Sequence, residues 1–281
     1  MPRLLVLWDV DHTLVNAGGV GIELYRIAFA ELFGGEAPIP GSMAGRTDRA
    51  IALEVLRLAD VPEPRRQIAA FQAVMAAHAP ELADLIRARG TALPGAAAAM
   101  AALAMADTGE LAMAGTPDAA GTPDADGAYD ADGAGDVVGG SADGAARDGH
   151  RARPVVQALL TGNIRPLAEV KLGALGLTDH LDLDVGAYGD VHEVRSELVG
   201  PARRRAALAY GAEFGGMATV LVGDTPLDIE AAVVTGARAV GVATGGFSMA
   251  ELARAGAHAV LPDLTDTSRV LAAILGRPGV S

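Results

Sequence analysis

The sequence contains no cysteine, which excludes disulfide bonds, thiolate nucleophiles and Cys-ligated metal centres. Basic residues are also scarce, with 22 Lys and Arg against 35 Asp and Glu in 281 residues and a net charge of −13. This balance argues against a nucleic-acid partner, whose phosphates require clustered basic residues. Long hydrophobic runs are missing as well: the run of apolar residues before Asp9 is only five residues long, at 4–8, too short for a signal peptide or a membrane span. We therefore expect a cytoplasmic protein with no membrane partner, whose chemistry rests on carboxylates.

Much of the negative charge lies in residues 107–150, which are rich in Ala, Gly and Asp and repeat the strings TPDA and DADG. This segment contains ten acidic residues and one arginine, so it carries a charge of −9. Its few apolar side chains bury too little area to offset the entropy of ordering the chain. We predict a disordered acidic insertion at 107–150, which leaves the rest of the chain only mildly acidic.

Elsewhere, short β-branched runs alternate with longer amphipathic stretches. Buried parallel strands are predicted at 4–8, 155–160, 183–186, 219–222 and 239–242. Helices are predicted at 94–105, 166–175, 195–210 and 227–235. This alternation predicts an α/β core with a doubly wound parallel sheet, formed by residues 1–17, 94–106 and 151–281. In such folds, ligands bind beyond the carboxyl ends of the strands.

Residues 18–93 contain helical patterns only, at 21–33, 47–58, 64–78 and 81–89. They do not fit the alternation of strands and helices. We assign them to a small helical domain inserted after the first strand and call this segment the cap.

The first predicted strand ends in the sequence DVDHT, which contains Asp9, Asp11 and Thr13. Alternate residues of an extended chain share a face, so the two carboxylates can point at one ligand. Two close carboxylates repel each other unless a cation or a shared proton lies between them. A turn with helix-capping Asp and Thr is the alternative interpretation.

Two further polar clusters follow predicted strands. Thr161, Gly162 and Asn163 come before a helix and could cradle an anion, or could be an ordinary helix N-cap. The string GDTPLD at 223–228 places Asp224 and Asp228 near the same edge of the sheet. Hard oxygen ligands from Asp9, Asp224 and Asp228 favour Mg²⁺, although capping of the next helix would explain one of these acids.

Together, DVDHT, TGN and GDTPLD resemble motifs I, II and IV of the haloacid dehalogenase superfamily, in the same order and at the corresponding strand ends. The cap resembles the C1-type cap of the subgroup that includes phosphoglycolate phosphatases and β-phosphoglucomutases. The resemblance covers nearly all of the chain except the acidic insertion. It implies a Rossmann-like core with an inserted helical cap.

The resemblance also implies roles for individual residues. Asp9 is expected to be the nucleophile that forms an aspartyl-phosphate, and Asp11 the general acid and base. Dehalogenating members lack the second Asp, so Asp11 favours phosphoryl transfer. Thr161 joins the expected catalytic residues, and Thr13, Gly162 and Asn163 are expected to bind substrate. The expected Mg²⁺ ligands are Asp9, Asp11, Asp224 and Asp228.

The basic residue of motif III has two candidates. Arg195 opens the helix after the predicted strand 183–186, which is the usual place. Lys171 is the only lysine of the chain but lies eight residues beyond Asn163, about 12 Å along a helix. We favour Arg195 and keep Lys171 as the alternative. The non-catalytic interpretations are a solvated helix face for Lys171 and an ion pair with Glu193 or Asp190 for Arg195.

In the cap, Arg46 could reach a substrate carboxylate or phosphate, or could pair with Asp48 on the surface. The expected function is a Mg²⁺-dependent phosphatase acting on a small phosphorylated metabolite. A phosphotransferase or mutase of the β-phosphoglucomutase type would use the same core residues. A noncatalytic ligand-binding module would predict missing catalytic acids, whereas all four are present. The cap could support a homodimer.

Overall fold

A computed structural model of the chain describes residues 4–106 and 155–277. The acidic insertion predicted at 107–150 lies outside the described residues, so its disorder stays a prediction.

Seven short strands are present in the described residues. In chain order they are β1 (Leu4–Trp8), β2 (Val15–Asn16), β3 (Thr91–Ala92), β4 (Val155–Leu159), β5 (Thr219–Gly223), β6 (Arg238–Val242) and β7 (Ala259–Leu261). Five of them form a parallel sheet in the order β4-β1-β5-β6-β7. In its register Trp8 lies between Leu159 and Val222. The carboxyl ends of β4, β1 and β5 are therefore neighbours at one edge of the sheet.

The helices flank this sheet or form the cap. In chain order they are α1 (Gly21–Phe33), α2 (Asp48–Leu58), α3 (Pro64–His78), α4 (Ala83–Arg89), α5 (Ala96–Met105), α6 (Arg165–Ala174), α7 (Val199–Tyr210), α8 (Pro226–Val234), α9 (Met249–Arg254) and α10 (Thr267–Leu275). No helix within 4–106 or 155–277 is both long and apolar enough to cross a lipid bilayer.

Alternate residues of the strands pack on opposite faces of the sheet, as the two-residue period of a strand requires. Leu4, Val6 and Trp8 join one buried cluster with α5 and α10, whereas Leu5 and Leu7 join another with α7 and α8. Helices thus cover both faces of a parallel sheet, which explains why its strands are apolar on both sides. The predicted doubly wound α/β fold class is confirmed.

The cap helices pack around a third buried cluster of their own, which includes Leu24, Phe71 and Ile86. Ile164 and Leu167, at the start of α6, extend this cluster onto the sheet-containing part of the chain. The chain enters the cap through β2 and leaves it through β3. These two segments run side by side, because β2 pairs with β3 in an antiparallel ladder. The assignment of 18–93 to a separate domain remains our proposal.

The strand predicted at 183–186 is wrong. The chain there forms turns, and a single bridge between Ala187 and Leu160 replaces the expected ladder. The Asp182 carboxylate accepts a hydrogen bond from the Asp184 backbone at 3.1 Å, and the Tyr188 hydroxyl donates to the Leu183 carbonyl at 2.6 Å. Such local side-chain bonds give the backbone an alternative to a strand.

The helix predicted at 195–210 begins with a 3₁₀ turn, Arg195–Leu198, and becomes α-helical only at Val199. Pro201 lies in its first α-helical turn and has no N–H to donate to the preceding turn. The sequence patterns missed β2, β3, β7, α9 and α10, all of ten residues or fewer. In short elements the hydrophobic period is too brief to be distinguished from a loop.

Two glycines provide a test of the packing at the start of α5. Gly95 (φ 84°) and Gly19 (φ 77°) both adopt left-handed backbone, but only at Gly95 would a Cβ run into backbone, at the Leu264 carbonyl. We expect Gly19→Ala to lower the free energy of unfolding by about 1 kcal/mol through backbone strain alone. Gly95→Ala should lower it by about 3 kcal/mol, since the clash is added to the strain. Urea denaturation measures both, and equal losses would contradict the contact.

Candidate active site

The candidate site lies where β1, β4 and β5 end. The Asp9 N–H donates to the Val222 carbonyl at 2.9 Å and so continues the ladder between β1 and β5. His12 then adopts left-handed backbone (φ 58°), which reverses the chain toward β2. Asp9, Asp11, Thr161 and Asp224 consequently line one cavity of about 410 Å³ between the sheet edge and the cap.

Arg195 binds two of the acids at this edge. Its guanidinium Nη2 lies 2.5 Å from the Asp9 carboxylate and 2.6 Å from that of Asp228. It also donates to the carbonyl oxygens of Leu160 (3.1 Å) and Gly45 (3.2 Å). The Arg195 side chain is only 5% exposed, so the ion pairs are shielded from water. The predicted alternative, an ion pair with Glu193 or Asp190, is not what the structure shows.

Asp228 has a structural role in addition to this pairing. Its second carboxylate oxygen accepts from the backbone N–H (3.0 Å) and hydroxyl (2.6 Å) of Thr225, which completes a capping box at the start of α8. Asp228 therefore caps a helix, as one interpretation from sequence predicts, and it also faces the acidic cluster; its role as a Mg²⁺ ligand stays a prediction.

Three buried carboxylates form a compact group beside this arginine. One oxygen each of Asp9, Asp224 and Asp228 lies within 4.8 Å of the others. Burial raises the pKa of Asp9 to about 7, although Arg195 opposes the shift. Burial and the negative charges of Asp9 and Asp228 raise the pKa of Asp224 to about 8. Three hard oxygen donors that repel one another suit a small divalent cation, so the donor set fits Mg²⁺.

Asp11 lies outside this group and has its own cation. The Lys171 ammonium donates to its two carboxylate oxygens at 2.7 and 2.6 Å, and the Asn163 amide donates at 2.7 Å. Burial alone would raise the pKa of Asp11, but Lys171 and Asn163 outweigh it and lower the pKa. The expectation that the Asp11 carboxylate would be a Mg²⁺ ligand is therefore not supported by this arrangement.

Lys171 is buried, with 3% of its side chain exposed. Its Nζ also donates to the Asn163 side-chain oxygen at 2.8 Å, so the side chain points back along α6 toward the helix start. The solvated helix face considered for Lys171 is wrong. Arg195 and Lys171 are not alternatives, since each holds a different catalytic candidate.

The TGN loop contacts the cap directly. The Thr161 hydroxyl accepts from the Asn163 amide at 2.8 Å, and a Cβ on Gly162 would strike the backbone of Arg46. The N–H of Ile164, the N-cap of α6, donates at 2.7 Å to the carboxylate of Asp48 in the cap. Asp48 of the inserted helical segment therefore caps the start of α6. The Ile164 N–H is not free to bind an anion, in contrast to the expectation from sequence.

Comparisons with known proteins agree with this fold. Residues 198–267 match a protein-family model described as HAD-hydrolase-like. The chain has a haloacid dehalogenase-like fold. The predicted family resemblance is confirmed, and the match to a hydrolase model supports the prediction of an enzyme of this class.

Similar solved structures cover nearly the whole chain. A hydrolase from Pseudomonas syringae is 19% identical, with a TM-score of 0.54 over 94% of this chain and 95% of that one. A haloacid dehalogenase-like family hydrolase from Streptococcus pneumoniae is 12% identical (TM-score 0.53, 96% and 98%). A predicted phosphatase from Clostridium acetobutylicum is also 12% identical (TM-score 0.54, 96% and 99%). A search of curated protein sequences found no match.

In this haloacid dehalogenase-like chain, two of the expected substrate-binding residues, Arg46 and Thr13, have surroundings that differ from the expectation. Arg46 does not pair with Asp48 but with Glu54, at 2.5 Å. Thr13 is fully buried, does not line the cavity, and its hydroxyl has no hydrogen-bond partner among the described residues. Gly162 and Asn163 do line the cavity.

The sequence reasoning missed the role of Asp48. One of its carboxylate oxygens accepts from the Tyr25 hydroxyl at 2.5 Å and the other from the Ile164 N–H. Burial raises the pKa of Asp48 to about 6 despite these bonds. The available signal was its position just after the N-cap Thr47, but the partners come from distant parts of the chain.

Asp48 provides a test of how the cap is attached. Asp48→Ala should lower the free energy of unfolding by about 2–3 kcal/mol, because two buried donors lose their acceptor. Asp48→Asn keeps an oxygen for the Ile164 N–H and should cost about 1 kcal/mol or less. Asp84→Asn, on a 92% exposed side chain of the cap, is the control. Equal losses for the Ala and Asn variants in chemical denaturation would rule out this bridging role.

Proposed function

We propose that this protein is a Mg²⁺-dependent phosphatase that hydrolyses a small phosphomonoester through an aspartyl-phosphate on Asp9. The observation that carries the proposal is the pairing of Asp9 with Arg195 and of Asp11 with Lys171 at the rim of one cavity. Two carboxylates with different partners can perform different tasks, one as nucleophile and one as acid and base. The haloacid dehalogenase-like fold supports the same assignment.

In the first step, an Asp9 carboxylate oxygen forms a bond to phosphorus while the bond from phosphorus to the ester oxygen breaks. Arg195 donates to both the Asp9 carboxylate and the Leu160 carbonyl, and so would fix the direction from which Asp9 attacks. Because both side chains are buried, this orientation costs little reorganisation at the moment of reaction.

Asp11 gives a proton to the departing ester oxygen and then removes one from the water that attacks the aspartyl-phosphate. The water oxygen bonds to phosphorus, inorganic phosphate leaves and the Asp9 carboxylate is restored. Lys171 and Asn163 hold Asp11 in position throughout. Because Lys171 lowers the pKa of Asp11, this carboxyl group is ionised before substrate binds. The proton that Asp11 passes to the ester oxygen would arrive with the substrate, on its phosphate monoanion, and the proton taken from water would return to the phosphate that leaves.

Asp9 and Asp224 would hold the Mg²⁺, with Asp228 completing the acidic group. When bound, the ion supplies positive charge that offsets the repulsion between the phosphoryl group and the carboxylates. Thr161, Gly162 and Asn163 lie beside this position and would bind the phosphoryl oxygens. Thr13 is buried outside the cavity lining, so it would pack behind the rest of the DVDHT segment and would not contact substrate.

A panel of phosphomonoesters tests the proposal. With Mg²⁺ present, we expect inorganic phosphate to appear in proportion to the ester consumed, whereas a mutase would give isomerised ester with little free phosphate. Asp9→Asn should lower kcat by at least about 10³-fold, because an amide is a poor nucleophile. The exposed control Asp84→Asn should retain full activity. Near-normal phosphate release by a folded Asp9→Asn variant would refute the nucleophile assignment.

Mg²⁺ binding can be measured without turnover. We expect saturating Mg²⁺ to raise the Tm of the wild-type protein by several degrees, because an ion that binds only the folded state stabilises it by roughly 2–3 kcal/mol at a hundredfold excess over Kd. Asp224→Asn should abolish this rise, and Asp84→Asn should keep it. An unchanged wild-type Tm together with full activity in excess chelator would refute the metal site.

A further inference from the structure

The cap side of the cavity is mostly apolar. Its walls there come from Ile22, Tyr25, Met43 and Ile51. Most charged side chains of the cavity lie at the sheet edge, where the phosphoryl group would bind, and the cap adds Arg46 and Asp48. A substrate in this site would therefore place its phosphate at the sheet edge and its organic part against the cap.

Arg46 is the arginine that the cap contributes to the cavity lining. Its guanidinium forms an ion pair with Glu54 of α2 at 2.5 Å. It also donates to the carbonyl oxygens of Ser42 at 3.1 Å and Ala50 at 3.5 Å. Glu54 thus offsets the positive charge of Arg46, and two backbone carbonyl oxygens also accept from the guanidinium.

The other two cations of the cavity are engaged as well. Lys171 is bound to Asp11, and Arg195 to Asp9 and Asp228. A carboxylate or second phosphate on the organic part of a substrate would meet apolar side chains and an arginine that Glu54 already holds. Burying such a charge without a partner is unfavourable.

We propose that this site selects phosphomonoesters whose organic part is uncharged, and that Glu54 determines this specificity through its ion pair with Arg46. The inference rests on the proposed phosphatase function and narrows its substrate class. It separates this chain from phosphatases of phosphorylated carboxylic acids and from enzymes of bisphosphates, both of which need a free cation opposite the reacting phosphate.

Two matched pairs of esters test the selectivity, since the members of each pair differ only in a hydroxymethyl group or a carboxylate. They are 2-hydroxyethyl phosphate with 2-phosphoglycolate, and glycerol 3-phosphate with 3-phosphoglycerate. We expect kcat/KM to be at least about tenfold higher for the uncharged member of each pair. Preference for the carboxylates would overturn this inference and leave the phosphatase function standing. No phosphate release from any ester by folded, Mg²⁺-supplied protein would overturn the proposed function itself.

Glu54→Gln tests whether the Glu54–Arg46 ion pair sets the preference for uncharged esters. Releasing Arg46 should raise the ratio of kcat/KM for the carboxylate ester to that for the uncharged ester about fivefold. Combining it with Arg46→Gln should remove the gain, since no cation then remains at that position. Glu63→Gln breaks an exposed cap ion pair with Arg66 and should leave the ratio unchanged. An unchanged ratio in folded Glu54→Gln protein would show that Glu54 does not set the specificity.

Discussion

The buried guanidinium of Arg195 is the interaction on which the site depends. It joins Asp9 after β1, the Leu160 carbonyl after β4, Asp228 in α8 and the Gly45 carbonyl of the cap. Without it, three carboxylates within 4.8 Å of one another would be buried with no protein cation among them. Removing one partner of such a network typically costs about 3–5 kcal/mol, because the remaining charge stays buried and unpaired. The sheet brings the acids together, and the positive charge of Arg195 offsets the repulsion between them.

A second cation divides the acids into two sets. Lys171 reaches back along α6 and binds Asp11, whereas Arg195 binds Asp9. The environments push the pKa values of the two carboxyl groups in opposite directions, with that of Asp9 raised by burial and that of Asp11 lowered by Lys171 against the effect of burial. Such a separation is what the proposed division of roles between two chemically identical side chains requires.

The cap is hydrogen-bonded to the TGN loop, which borders the candidate catalytic acids. The Asp48 N–H donates to the Gly162 carbonyl at 2.6 Å, the Arg49 N–H donates to that of Gly189 at 2.9 Å, and the Asp48 carboxylate caps α6. Gly162 has no side chain, so the backbone of Arg46 can approach the loop closely. Access to the cavity and the shape of the TGN loop are therefore coupled through backbone contacts, and the position of Arg46 follows from the same docking.

The sequence by itself determined the class of fold and the three strand ends that build the site, because a buried strand must be apolar and must end in polar residues where the ligand binds. It indicated Asp9, Asp11, Asp224 and Asp228 for the same reason. Residues 183–186 form turns instead of the predicted strand, since side chains of Asp182 and Tyr188 hydrogen-bond to the backbone of this segment. Only the tertiary structure decided the partners: Arg195 with Asp9, Lys171 with Asp11, Asp48 with α6 and Arg46 with Glu54. Most of these pairs join distant parts of the chain. Their spacing along the sequence does not indicate which charged groups come within hydrogen-bond distance, because that depends on how the elements pack.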